Sequence, residues 1–252
     1  MTGAETLLVL AAGLGAGILS STVGVASLLS FPTLVALGLP PVTANVSNTL
    51  GLIPGGISGA VGYREELRRA PRLAAVILLV CSIGALAGAA LLLGLPPGVF
   101  EAVVPWLILF TCLLVGIQPR VAGWLRRRRG EAHQERLHMS PVTTGFATLT
   151  GVYGGYFGAG AGVMMVAVLG LGTDLELRIV NGLKTVSLMA GNVVAGLVFV
   201  VVADPRWDGV VLLAAGSVVG GYVGARIGRR LPDSVFRSAV VVAGVVAAVS
   251  MF

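Results

Sequence analysis

The stretch PVTTGFATLTGVYGGYFGAGAGVMMVAVLGLG, residues 141–172, decides how this chain must be read. It carries no charge, so it suits a bilayer, yet it is longer than the roughly 20 apolar residues one crossing needs. Its middle holds Gly154, Gly155, Gly158, Gly160 and Gly162, which weaken a helix rather than extend it. Residues 5–37 have the same character, with Ser20, Ser21, Thr22 and Gly24 near the centre. One reading is a long tilted helix with small residues for close packing. The other is a broken or re-entrant segment, which a membrane accepts only against protein or a cavity.

Working outward, further apolar blocks run over 43–63, 73–94, 99–117, 179–203, 209–228 and 235–251. Hydrophobic residues make up 56% of the chain and charged ones 11%, against about 25% charged in a soluble domain. The expected fold is therefore all-α and polytopic, with about eight hydrophobic segments. The net charge of +6 does not point to nucleic acid, because the arginines sit between apolar blocks as orientation signals do. The expected surroundings are membrane lipid, in a multi-pass protein of the bacterial inner membrane. Cys81 and Cys112 both fall inside apolar blocks, so neither a disulfide framework nor a metal cluster is indicated.

The chain repeats itself. A shift of 136 residues lays Asn45 on Asn181, Thr49 on Thr185, Gly55 on Gly191, and Gly84 and Gly88 on Gly220 and Gly224. Upstream a shift of 134 lays Gly17 on Gly151, Gly24 on Gly158 and Leu37-Gly38 on Leu171-Gly172. The ordered set implies duplication. The organisation is a first repeat, 1–119, a basic cytoplasmic linker, 120–139, and a second repeat, 140–252. If both long blocks enter and leave on one side, Arg64–Arg72, Arg120–Arg136, Arg178 and Arg226–Arg230 share a face and only Arg206 lies opposite. Positive-inside counting prefers that topology, which puts both termini outside and makes the halves inverted repeats.

Among sixteen arginines there is one lysine, Lys184, and it lies within an apolar block. An ammonium at the middle of a membrane helix costs about 2.5–3.5 kcal/mol and normally faces a cavity or the bundle interior. An anionic substrate would be its natural partner, and snorkelling to the interface is the structural alternative. Asn181, Lys184, Thr185, Leu188 and Asn192 recur at helical spacing on one face, with Ser187 at its edge. The first repeat offers Asn45, Asn48 and Thr49 on the matching helix, Asn48 being the mate of Lys184. These residues are the candidate substrate-binding set, and helix–helix contact is their plainer reading. The breaks supply candidate gating or anion-nest groups: Ser20, Ser21, Thr22, Gly24, Tyr156, Gly158, Gly160 and Gly162. There is no Walker loop, no metal-ligand set and no cofactor motif, so no catalytic residue is assigned and an enzyme is not expected.

Two halves with a Gly-rich first segment and a polar-faced second one resemble the TauE/SafE family of permeases, the sulfite exporter family. The resemblance covers essentially the whole chain. It rests on Gly24–Ser27, Phe31-Pro32, Leu37-Gly38 and Ala44–Thr49, and on Gly158–Gly162, Leu171-Gly172 and Val180–Thr185. It implies transport of sulfite, organosulfonates or related organic acids. This chain departs from the family pattern at Val25-Ala26, where glycines are usual, and at Asn45-Val46-Ser47-Asn48, where Ala-Thr-Ser is usual.

The leading expectation is a secondary transporter of a small anion working by alternating access. An anion channel and an assembly component of a membrane complex are the alternatives. Export against import, a coupling proton and homo-oligomerisation are left open at this point.

Overall fold

The computed structural model describes residues 2–129 and 138–227, and positions 241, 242, 244–246, 248 and 249. Among the described residues every regular element is a helix. They are α1 (Gly3–Thr22), α2 (Ser27–Ala36), α3 (Pro41–Gly62), α4 (Arg64–Arg68), α5 (Pro71–Gly94), α6 (Pro97–Arg129), α7 (Pro141–Tyr156), α8 (Ala161–Gly172), α9 (Leu177–Val202) and α10 (Trp207–Ile227). The starts follow local chemistry. Thr2 and Glu5 form a capping box on α1, Ser140 caps α7, and proline opens α3, α5 and α7. Five helices, α1, α5, α6, α9 and α10, are long and apolar enough to cross a membrane. Their outer faces expose Leu79 and Ile83, Trp106 and Leu113, Leu197 and Val201, a surface that suits lipid rather than water.

Both long blocks are broken. At each break two successive amides close back onto one carbonyl, those of Val23 and Gly24 onto Leu19 (3.0 and 2.6 Å) and those of Phe157 and Gly158 onto Tyr153 (both 3.0 Å). The residues involved are repeat mates, so the same helix ending is built twice. Gly24 and Gly158 take φ of +89° and +79°, where a side chain would be strained. The chain then doubles back. Thr143 at the start of α7 lies against Gly172 at the end of α8, and Glu5 of α1 shares a cleft with Leu37 and Leu39 beyond α2. Each long block is thus a helical hairpin that leaves at the end where it entered, and the single tilted helix is set aside.

The halves interlock. α10 packs along α1 and α3, whereas α5 packs along α7 and α9. The glycines of the repeat make these approaches possible: a Cβ on Gly17 would stand 2.6 Å from the Ser217 carbonyl, and one on its mate Gly151 would stand 2.8 Å from that of Cys81. Ser217 and Cys81 are themselves mates. Between the halves α3 and α9 run antiparallel, with Gly59 against Thr185, Gly56 against Met189 and Ile53 against Gly196.

Charge separates by end. Arg69 lies 3.8 Å from Glu176, just before α9 and Arg178, and Arg64 and Arg226 line one shallow cleft. Arg206 is at the far end of α9, beside Glu5. Helix α6 continues beyond residue 119 to Arg129. The rest of the basic linker, with His133, and Arg229, Arg230 and Arg237 lie outside the described residues, as does much of the block 235–251.

Candidate functional site

The polar faces of α3 and α9 are directed at the two breaks. Lys184 is fully buried, and its Nζ donates to the carbonyls of Ser21 (3.1 Å) and Thr22 (2.8 Å). These carbonyls end α1, whose last turn has no basic residue of its own. An ammonium there satisfies acceptors that the helix leaves open and neutralises the negative end of its dipole. Tyr63 Oη also donates to Ser21 O, at 3.1 Å. Lys184 therefore points inward to α1 instead of reaching out to the interface.

The second break is held by the same logic with a neutral group. Asn45, 1% exposed, donates from Nδ2 to the carbonyl of Tyr156 at 2.9 Å, and Tyr156 is the repeat mate of Thr22. Asn48, the mate of Lys184, turns to the first turn of α2: its Oδ1 accepts from Ser30 Oγ and its Nδ2 donates to Ser27 Oγ. Thr185 Oγ1 returns to the Asn181 carbonyl, and Thr49 is buried. Ser21 Oγ donates to Gly221 O, Thr22 Oγ1 to Ile18 O, and Ser20 is half-buried. The Tyr156 ring stacks edge-on against Phe100.

At the centre the breaks touch. A Cβ on Gly24 would lie 2.8 Å from the Gly162 Cα and 3.2 Å from the Lys184 side chain. One on Gly158 would meet only the carbonyl of Gly154, one turn back in its own helix. Gly158 also lines a small, mostly apolar cavity of about 20 Å³, room for about one water, between α5, α7, α8 and α9. Ser187 and Asn192 line it on one side, Thr150 and Gly154 on another, with Cys81 and Met165 completing the wall. Ala161, the first residue of α8, lies in the same wall, so the amino end of that helix borders the cleft. Thr150 Oγ1 donates to the Phe146 carbonyl within its own helix, so the donors left to an anion are the Asn192 carboxamide and the amino end of α8. The nearest fixed charge along α9 is Lys184, whose carbonyl accepts from Ser187 Oγ at 2.7 Å.

Of the residues singled out from the sequence, Ser187, Asn192 and Gly158 meet in this cleft. Lys184, Ser21, Thr22 and Gly24 gather at the first break, and Asn45 and Tyr156 at the second. Gly160 packs against Thr111 and Gly162 against Gly24. Three contributors escaped sequence reading. Thr111 of α6 braces the second break by donating to Ala159 O at 2.9 Å, and nothing in its apolar helix flags it. Thr150 and Cys81 had only their repeat positions to recommend them. Glu66, in the charged run after α3, is 7% exposed because α4 folds onto α9 beside Gly182.

Residues 9–251 match the family described as Sulfite exporter TauE/SafE. The chain belongs to that family. Relatives share its low but full-length similarity. A "Probable membrane transporter protein" of Haemophilus influenzae is 25% identical over 91% of this chain and 88% of its own length. The "Probable membrane transporter protein ORF9" of a Sinorhizobium species is 24% identical over 94% and 88%. YfcA of Escherichia coli K12, also named a probable membrane transporter, is 25% identical over 86% and 76%. No solved structure matches. As a TauE/SafE protein with several apolar helices, the chain is a multi-pass membrane protein of a transporter family.

Proposed function

We propose that this TauE/SafE protein is a secondary transporter of a small anion in the bacterial inner membrane, sulfite or an organosulfonate or organic carboxylate being the substrate class. The observation that carries the reading is the cleft at the second break, where Ser187, Asn192, Thr150 and the amino end of α8 converge. The Asn192 carboxamide and the amino end of α8 can bind an anion without a metal. Alternating access has a structural basis in the halves, read as inverted repeats: mates α3 and α9 run antiparallel, and each half grips the other through α5 and α10. Rocking one half on the other would open the breaks alternately to each face. The arginine-rich end is then the cytoplasmic one.

The test is uptake of labelled sulfite and of sulfoacetate into proteoliposomes. Saturable flux is expected for the native protein. For Asn192→Leu, KM should rise about tenfold, the value of one lost hydrogen bond to a charged group. Non-saturating currents without counterflow would favour a channel. A folded protein that carries neither anion would remove the proposal for this substrate class.

A further inference from the structure

The two breaks carry the same carbonyls but not the same charge, and that asymmetry has a chemical consequence. At the end of α1 the acceptors of Ser21 and Thr22 meet a tethered cation, the Lys184 ammonium. At the end of α7 the position matching Lys184 is Asn48, which is engaged with Ser27 and Ser30. Tyr156 O receives the neutral amide of Asn45 and, among the described residues, no cation. That bond fixes the orientation of the carboxamide, since turning it over would set oxygen against oxygen. The Asn45 Oδ1 is then buried beside the end of α7, and among the described residues no group donates to it. A buried acceptor without a donor is rare and calls for an occupant.

We propose that Asn45 Oδ1 and the terminal carbonyls of α7 hold a sodium ion, the untethered counterpart of the Lys184 ammonium. The atom left open, Asn45 Oδ1, is an acceptor at the negative end of a helix, which selects a cation. It and the terminal carbonyls are neutral oxygens of a side-chain amide and an unwound segment, the ligand type that broken membrane helices give to Na⁺. Among the described residues no cluster of three acidic, histidine or cysteine side chains exists, so a divalent ion lacks its usual charge compensation. The site shares α7 with the anion cleft, whose wall includes Gly154 and Gly158 on either side of Tyr156. Sodium bound here would steady the second break and lower the electrostatic cost of the anion, so that the two move together. That coupling rests on the transport reading, whereas the binding of Na⁺ does not.

The experiment is equilibrium binding of ²²Na⁺ to the purified full chain in detergent, without any anion, for the native protein, Asn45→Leu and Asn45→Asp. Saturable binding is expected in the native protein, weakened about tenfold or more in Asn45→Leu and tightened to a similar degree in Asn45→Asp. Absence of saturable binding in the native protein overturns the site and makes the occupant of Oδ1 a water. Equal affinity in native and Asn45→Asp protein overturns it as well, even if Asn45→Leu fails to fold. In proteoliposomes an imposed Na⁺ gradient should drive anion flux. Binding of ²²Na⁺ with flux indifferent to Na⁺ would refute the coupling while leaving the site.

Discussion

The first and second breaks begin from one backbone plan and end as different places. Each closes a helix through the same pair of amides and turns on a left-handed glycine. Around Gly24 the protein is filled, by Gly162 and by the buried stem of Lys184. Around Gly158 the packing is looser, and a small cavity bordered by Ser187 and Asn192 lies beside it. The lesson is that duplication supplies two frameworks, and a few side chains make one a pivot and the other a pocket. Lys184 is the main such difference, because it brings a fully buried charge to the first break.

The sharpest way to break this comparison is Gly24→Ala. The left-handed φ costs about 1–2 kcal/mol and the clash with Gly162 about 1–3 more, so a loss of about 2–5 kcal/mol is expected in thermal or denaturant unfolding in detergent. A loss below 1 kcal/mol would show that the two breaks are not wedged together. Next comes Lys184→Met, which leaves the Ser21 and Thr22 carbonyls without their ammonium. About 2–3 kcal/mol of stability should go, along with most of the anion flux. Normal stability and flux in this variant would make the first break no more than a packing joint.

Gly158→Ala should cost mainly the backbone term, about 1–2 kcal/mol, because the new Cβ would meet only the Gly154 carbonyl, at 3.0 Å. A penalty equal to that of Gly24→Ala would erase the distinction between filled and looser breaks. The smallest effect sharpens the location of the pocket. With Cys112, which lies by Val241 away from the cleft, replaced by serine, Cys81 should react slowly with a small methanethiosulfonate reagent. Substrate at saturating concentration should slow that labelling further, and labelling blind to substrate would place the anion elsewhere.

Much of this was legible in the chain. The excess length and glycine content of residues 5–37 and 141–172 raised a broken segment beside a single tilted helix, and the repeat register treated both blocks alike. The lone lysine was placed within an apolar block, with an inward role and snorkelling both open. What could not be read was its partner, since the carbonyls of Ser21 and Thr22 are identical in every residue and become special only where a helix stops. Asn48 shows the same limit: it matches Lys184 by register, but its short side chain reaches α2 and not the end of α7. Glu66 reads as part of a solvated charge run and is buried only because α4 lies back on α9.

By itself the sequence determined that the chain is helical and membrane-spanning, and it raised duplication and two matched interruptions as expectations. Hydrophobic length, glycine and repeat register are local quantities, and a bilayer leaves the backbone few ways to satisfy its hydrogen bonds. Only the tertiary structure decided that the halves exchange their third long helices, that Lys184 closes one break, and that the other borders a small cavity. Those outcomes depend on which helix ends meet which side chains, a matter of packing between distant segments that no local pattern encodes.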